Sequence, residues 1–214
     1  MQDIVILGTG GFAREVAFLI EEINRVSPTW RILGLVEADE RQVGTQIGKY
    51  SILCAESDLA KRNVAATIGI GNPAIIKKIV ENFKDYSNIS FPNLIHPNTI
   101  GDRERISMGR GNIICAGNIL TTDIQIGSFN IFNLNSTYGH DIQIGDYCVF
   151  NPGLNLSGGL KIGNSCLVGT GATILQYLSI GDGATIGGGA VVTKNVEAGV
   201  TVVGVPAKPI TPKM

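Results

Sequence analysis

The chain has 214 residues with 17 basic and 18 acidic side chains, and its net charge of −1 gives no reason to expect nucleic acid or an anionic membrane as a partner. No apolar run approaches the roughly 20 residues of a membrane-spanning helix, and the N-terminus does not read as a signal peptide. The four cysteines lack any CxxC spacing, so we expect reduced core residues in a cytoplasmic protein.

The first part of the chain alternates between strand and helix patterns. Short apolar runs typical of buried strands and apolar residues at helical spacing follow one another in the order strand 4–7, helix 12–24, strand 32–36, strand 65–70 and helix 73–82. This alternation indicates a parallel sheet covered by helices. We therefore predict a small α/β domain over residues 1–88.

A glycine-rich loop, Gly8-Thr-Gly-Gly-Phe-Ala13, joins the first strand to the first helix. Glycines there let the backbone approach a pyrophosphate, and the helix N-terminus favours the anion. Glu37 ends the second strand, where dinucleotide-binding folds place an acid, and Asn72 follows the third strand and suits a helix N-cap. The loop predicts a site for the diphosphate of a nucleotide sugar; the alternative is a tight turn that binds nothing.

Residues 89–99 contain two prolines and no helical period, so we expect them to be a connector. From Met108 to Val192 every sixth residue is apolar, over fifteen consecutive positions. Because strand side chains alternate faces, an even period returns the same face inward, and three such sides close one coil. We predict an all-β domain of stacked three-sided coils within residues 100–214, with regular coils ending near Lys194.

His140 and Asp141 form the candidate catalytic pair. His140 lies at a predicted coil corner, whereas His96, in the connector, is expected to be structural or merely solvated. A neutral imidazole can take a proton from an amine or hydroxyl while a carboxylate orients it; the alternative is a surface histidine with an incidental neighbour. A zinc centre in such coils needs three histidines, so we expect no metal.

Together these features resemble the sugar acyltransferases of the hexapeptide-repeat superfamily, particularly the sialic-acid O-acetyltransferases and the nucleotide-4-amino-sugar N-acetyltransferases. Besides the glycine-rich loop, the matching motifs are Ile68-Gly-Ile-Gly-Asn72, Leu94-Ile-His-Pro97, Gly139-His-Asp-Ile-Gln-Ile-Gly-Asp146, Ser157-Gly-Gly159, Gly187-Gly-Gly-Ala190 and Val203-Gly-Val-Pro-Ala-Lys208. The resemblance implies a Rossmann-like nucleotide-sugar-binding domain followed by a left-handed parallel β-helix. It also implies a homotrimer whose active sites lie between adjacent β-helices, acetyl-CoA as the donor and an amino sugar or sialic acid as the acceptor.

The resemblance also assigns roles to individual residues. His140 matches the general base, Asp141 its acidic partner, and Asn133 a position that lines the acceptor and acetyl site. Gly158 and Gly188 match positions whose backbone meets the pantetheine arm of the donor. The family's nucleotide contacts cluster at positions that match Gly10, Gly11, Phe12, Glu37 and Asn72.

Two departures from the family pattern limit these assignments. Val149 stands where some members carry a second histidine, and Ala38 stands where many have a second acid. The rival hypothesis is a non-catalytic nucleotide-sugar-binding or scaffold protein built on a β-helix. The sequence leaves open whether an amine or a hydroxyl is acylated.

Overall fold

The computed structural model describes residues 1–210, and the chain divides into two compact units. The first comprises Met1–Gly71 and Ile75–Pro97; the second comprises Asn72–Ala74 and, within the described residues, 98–210. Within the described residues, no helix has the length and apolar character needed to cross a membrane.

The first unit is built on a six-stranded sheet. The elements of this part of the chain, in order, are β1 (Gln2–Leu7), α1 (Gly11–Val26), β2 (Trp30–Glu37), β3 (Gln46–Ile47), β4 (Tyr50–Ala55), α2 (Glu56–Leu59), β5 (Val64–Ile68), α3 (Pro73–Phe83), β6 (Ile89–Ser90) and β7 (Leu94–Ile95). The strand order is β3-β4-β2-β1-β5-β6, and every pair except β3–β4 is parallel. Residues 4–7 of the central strand β1 are fully buried.

The order of β1, α1, β2, β5 and α3 agrees with the prediction, but the β3–β4 hairpin between β2 and β5 was not predicted. The sequence contains only a short signal for this hairpin, because its turn consists of two residues, Gly48, with φ of 61°, and Lys49. Residues 89–99 are also more regular than a connector, because Ile89–Ser90 extends the sheet beside β5.

The second unit is a left-handed parallel β-helix with three faces. Face A contains β10 (Ile113–Ile114), β13 (Ile131–Phe132), β16 (Val149–Phe150), β19 (Leu167–Val168), β22 (Thr185–Ile186) and β24 (Thr201–Val203). Face B contains β8 (Ile100–Gly101), β11 (Ile119–Leu120), β14 (Thr137–Tyr138), β17 (Asn155–Leu156), β20 (Thr173–Ile174) and β23 (Val191–Val192). Face C contains β9 (Ile106–Met108), β12 (Ile124–Ile126), β15 (Ile142–Ile144), β18 (Lys161–Ile162) and β21 (Ser179–Ile180).

Each coil stacks on the next through parallel strand pairs, as the repeat predicts; Ile131, for example, pairs with Val149. All the predicted ladder positions from Ile114 to Val192 are buried, and only Met108, in the first coil, is half-buried. The coils continue beyond Lys194, because Thr201–Val203 pairs in parallel with β22 before β25 (Lys208–Pro209) returns antiparallel to it. The ladder therefore forms the hydrophobic core of this unit.

The coils turn at three corners, where backbone φ is positive at the same place in successive coils. Corner 1, between faces C and A, holds Gly111, Phe129, Tyr147, Ser165 and Gly183. Corner 2, between faces A and B, holds Gly117, Asn135, Gly153, Gly171 and Gly189. Corner 3, between faces B and C, holds Asp123, Asp141, Gly159 and Tyr177. A residue in the left-handed backbone conformation bends the chain sharply, and this conformation costs roughly 1–2 kcal/mol when the residue is not glycine.

A short column of buried polar side chains lies inside the early coils. Asn112 Oδ1 accepts hydrogen bonds from the backbone nitrogen and the side-chain Nδ2 of Asn130, at 2.9 and 3.1 Å. Asn130 Oδ1 in turn accepts from the backbone nitrogen of Cys148 at 2.7 Å. The next residues of the column are Cys166 and Ala184, both fully buried. The polar part of the column is thus confined to one end of the β-helix.

Candidate functional site

His140 and Asp141 lie at corner 3, directly after β14. The His140 Nδ1–H donates to Asp141 Oδ2 at 2.7 Å, and the two side chains are 55% and 67% exposed. Because an ionised carboxylate can only accept, this bond places the proton of a neutral imidazole on Nδ1. Nε2 then carries the free lone pair, and it has no hydrogen-bond partner within residues 1–210.

The imidazole lies against Gly158 in the next coil. A Cβ at position 158 would lie 2.7 Å from both Cε1 and Nε2 of His140, closer than side chains approach. The backbone beneath the pair is fixed from both sides, since the His140 carbonyl accepts from Gly159 N at 2.8 Å and Asp141 N donates to Thr122 O at 3.3 Å. Glycine at 158 is therefore a condition for this position of the imidazole.

Asn133 lies at the other edge of face B, before corner 2. Its side-chain Oδ1 accepts from Leu134 N at 2.8 Å, and its carbonyl accepts from Asn118 Nδ2 at 2.8 Å. A whole side of the coil, on the order of 15 Å, separates it from His140. The three predicted catalytic residues are consequently not brought together within one chain.

The two glycines predicted to meet the donor also lie on opposite edges of face B. Gly158 belongs to corner 3 and is buried beneath His140, whereas Gly188 belongs to corner 2 and is exposed together with Gly189. A Cβ at Gly188 would lie 3.3 Å from Thr170 O. The corner 3 edge of face B thus carries the His140–Asp141 pair and Gly158, and the corner 2 edge carries Asn133 and Gly188.

Tyr177, which was not predicted as a site residue, also belongs to corner 3. Its ring packs onto Gly159 from the following coil, so that a Cβ at position 159 would lie 2.6 Å from Tyr177 Cε1. His140 packs onto the adjacent Gly158 from the preceding coil. The two rings therefore approach the same pair of glycines from opposite directions along the β-helix axis. A sequence signal existed, because Tyr177 occupies the same place in its coil as Asp141 and Gly159 do in theirs.

In the first unit, the glycine-rich loop connects the carboxyl end of β1 to α1. Gly10 occupies the N-cap position of α1, Gly10 and Gly11 are exposed, and Phe12 is half-buried. The Thr9 hydroxyl donates to Glu37 Oε2 at 2.6 Å, and Ala38 N donates to Glu37 Oε1 at 2.8 Å. The Glu37 carboxylate is thereby held beside the loop at the end of β2.

Glu56, at the start of α2, adds a carboxyl group that was not predicted. Burial raises the pKa of Glu56, the negative charge of Glu37 raises this pKa further, and Lys78 acts in the opposite direction. Two acids with one nearby lysine thus occupy the carboxyl-end side of β2 and β4. Glu56 escaped prediction because β4, the strand that leads into it, was itself missed.

Asn72 stands immediately before α3. Its side-chain Oδ1 accepts from Ala74 N at 3.0 Å, which is the N-cap interaction predicted from the Asn-Pro pair. The side chain is exposed.

A groove on face C does not contain the imidazole. It has a volume of about 860 Å³ and runs along face C past the outward-facing Gln125, Gln143 and Lys161. A second groove of about 400 Å³ on the same face includes Asp141 but not His140. Across the described residues, no group of three or more His, Cys, Asp or Glu side chains is placed to hold a metal ion. The candidate site is therefore identified by chemistry rather than by cavity size.

Comparison with known proteins gives matches over both units. The family model "PglD N-terminal domain" matches residues 3–83, and "Bacterial transferase hexapeptide (six repeats)" matches residues 159–194. WeeI from Acinetobacter baumannii AYE is 32% identical, with a TM-score of 0.86 over 98% of this chain and 100% of that chain. A search of curated proteins finds no match.

Two further solved structures carry ligands. The acetyltransferase domain of PglB from Neisseria gonorrhoeae FA1090, in complex with acetyl coenzyme A, is 28% identical, with a TM-score of 0.88 over 98% of this chain and 99% of that chain. A mutant of perosamine N-acetyltransferase from Caulobacter crescentus, in complex with CoA and GDP-perosamine, is 25% identical, with a TM-score of 0.87 over 99% of this chain and 98% of that chain.

Proposed function

Because this chain belongs to the hexapeptide-repeat sugar acyltransferase family, we propose that it transfers the acetyl group of acetyl-CoA to an amino group of a nucleotide-activated sugar. The ligands of the similar proteins, acetyl coenzyme A in one and CoA with GDP-perosamine in another, support this donor and this class of acceptor. The name of the latter relative, an N-acetyltransferase, favours an amine over a hydroxyl as the acylated group.

The observation that carries the proposal is the pairing of His140 Nδ1 with Asp141, which leaves Nε2 as a proton acceptor at an open corner. The acceptor amine attacks the thioester carbonyl carbon, and Nε2 takes a proton from the amine as the C–N bond forms. The tetrahedral intermediate then expels the CoA sulfur, which receives the proton from His140. Asp141 holds the imidazole in the required tautomer and stabilises its charged form.

The positions of His140 and Asn133 support a site shared between chains. They lie on opposite edges of face B, so a site that uses both takes one from each of two neighbouring copies. A closed three-fold ring satisfies this requirement three times over, because every copy offers both edges. In this homotrimer the coil edges at Gly158 and Gly188 would line the path of the donor from two sides.

The first unit would bind the nucleotide part of the acceptor. The exposed backbone of Gly10 and Gly11 opens the 16-residue helix α1, whose N-terminus favours a diphosphate. Glu37 lies beside this loop and would accept hydrogen bonds from ribose hydroxyl or base N–H groups. Phe12 is a further proposed nucleotide contact in this unit; Asn72, which the resemblance also assigns, is counted with the second unit.

Replacement of His140 by alanine tests the proposal. We expect kcat to fall roughly 10² to 10⁴-fold while the unfolding midpoint stays unchanged, because the side chain is 55% exposed. Release of the CoA thiol is measured against a panel of nucleotide-linked amino sugars. Gln143→Ala, an exposed residue of the large face C groove, is the matched control and should keep full turnover.

Retained turnover in His140→Ala would reject the histidine as general base. If the wild-type protein binds a nucleotide sugar but releases no thiol with any acceptor, the non-catalytic alternative is correct. A loss of turnover in Gln143→Ala as large as that in His140→Ala would indicate that the active site lies on face C.

A further inference from the structure

We propose that Tyr177 is a donor-binding residue, whose ring face packs against the pantetheine arm of acetyl-CoA where the thioester reaches His140. This inference rests on the proposed function and assigns a residue to its donor site. The geometric basis is that the Tyr177 and His140 rings converge on the adjacent glycines 159 and 158. A thioester placed for attack beside Nε2 lies within a few ångströms of these glycines, and therefore within reach of the Tyr177 ring.

A purely structural role explains Tyr177 poorly, as a second aromatic corner residue shows. Phe129 at corner 1 also has positive φ, 58°, and also packs onto a glycine of the preceding coil, Gly111. The Phe129 ring is only 3% exposed, so its burial offsets the backbone strain. Tyr177 has φ of 60° but is 74% exposed in the single chain, so packing within the chain does not supply the same offset. An uncompensated left-handed aromatic residue points to a contact made with a ligand.

The position of Tyr177 along the β-helix favours the donor over the acceptor. The coil of Tyr177 follows that of Gly158 and precedes that of Gly188, the two glycines proposed to meet the pantetheine arm. A donor that passes both glycines and ends at His140 crosses the level of Tyr177. The arm is a narrow, uncharged chain of methylene and amide groups, which an aromatic face can contact along its length.

The test is Tyr177→Gly, because glycine adopts a φ of 60° without strain and the variant should therefore fold. Binding of CoA is measured by calorimetry, and KM is measured separately for acetyl-CoA and for the acceptor. We expect the Kd for CoA and the KM for acetyl-CoA to rise about tenfold, with the acceptor KM and the unfolding midpoint unchanged. Tyr177→Phe should stay within about twofold of wild type, because the ring face makes the contact.

Tyr147→Gly is the matched control. Tyr147 is also a corner tyrosine with φ of 62°, but it stacks on Phe129 at corner 1, with 6.0 Å between ring centroids. The control should bind CoA as wild type does, and an equal loss of affinity in both variants would overturn the inference. An unchanged Kd for CoA in Tyr177→Gly, or a rise in the acceptor KM alone, would also overturn it.

The failure of this inference differs from a failure of the proposed function. If wild-type protein binds CoA and Tyr177→Gly binds it equally well, only the role of Tyr177 is wrong. If the wild-type protein does not bind CoA, the proposed function is wrong and the inference falls with it.

Discussion

Corner 1 and corner 3 of the β-helix have the same backbone conformation but use their side chains differently. At corner 1 the side chains contact the coils themselves. The aspartate and asparagine that precede this corner accept from backbone N–H groups of the coil before, at 2.6 Å for Asp146 with Ser128 and 2.9 Å for Asn164 with Asp146. The Arg110 guanidinium lies over the Phe129 ring, 5.6 Å from its centroid. The side chains of corner 1 therefore stabilise the stacking of the coils.

At corner 3 the His140 and Tyr177 rings pack on glycines of neighbouring coils, but both side chains stay more than half exposed. Asp141 accepts from an imidazole rather than from a backbone N–H group, and the Tyr177 ring is largely exposed. Both corners accommodate positive φ in coil after coil, so the repeat alone does not separate them. The difference teaches that the partner of a polar or aromatic side chain, and not the backbone conformation, distinguishes a candidate reactive corner from a structural one.

Among the substitutions that compare the two corners, Gly158→Ala is expected to have the largest effect, and it acts on corner 3 alone. The added Cβ would displace the His140 ring, which is the nearest group to it. A shift of about 1 Å in a catalytic group can cost 10²-fold in rate, so we expect kcat to fall about 100-fold. Thermal unfolding should be little changed, because the exposed ring can move. A wild-type kcat in this variant would show that the observed imidazole position is not the working one.

Gly145→Ala, before corner 1, should reverse this pattern. Here the Cβ would lie 2.6 Å from Asn164 Oδ1 and 2.9 Å from the backbone C and O atoms of Gly163. Backbone cannot yield as a side chain does, so we expect a loss of about 1–3 kcal/mol in the free energy of unfolding. Urea denaturation measures this loss, and kcat per folded molecule should stay unchanged. A large fall in kcat without a loss of stability would contradict the division between the two corners.

Asp141→Asn is expected to have the smallest effect. Asparagine tolerates the φ of 56° at this position, so the corner should persist. Its amide can donate to Nδ1 and thereby favour the tautomer that carries its proton on Nε2. Because the pair is exposed, we expect kcat to fall only about tenfold.

Asp123→Asn is the matched control for that substitution. Asp123 has the same φ one coil earlier but pairs with Arg105 instead of a histidine. Its replacement should leave kcat unchanged, and steady-state kinetics on both variants decides whether the carboxylate acts through His140. Equal kcat values for Asp141→Asn and wild type would remove Asp141 from the mechanism.

The sequence predicted the features that depend on periodicity. An inward apolar residue at every sixth position fixes the faces of the coil, and every position of the ladder beyond Met108 is buried as expected. The β3–β4 hairpin was missed because its strands are short and only Gly48 and Lys49 mark the turn. The convergence of His140 and Tyr177 on Gly158 and Gly159 depends on side-chain orientation, which composition and spacing do not encode.

The buried column that begins with Asn112 bears on how a repetitive chain finds a single alignment. The apolar ladder is nearly the same at every level, so sliding one coil past its neighbour by a full turn would cost little in apolar burial. Such a slip would place Asn130 against Cys166. Amide groups would then lie without hydrogen-bond partners in the dry interior, where each unpaired group costs about 1–3 kcal/mol. The Asn112–Asn130 pair therefore favours a single register of the stacked coils and disfavours chains in which one coil is shifted.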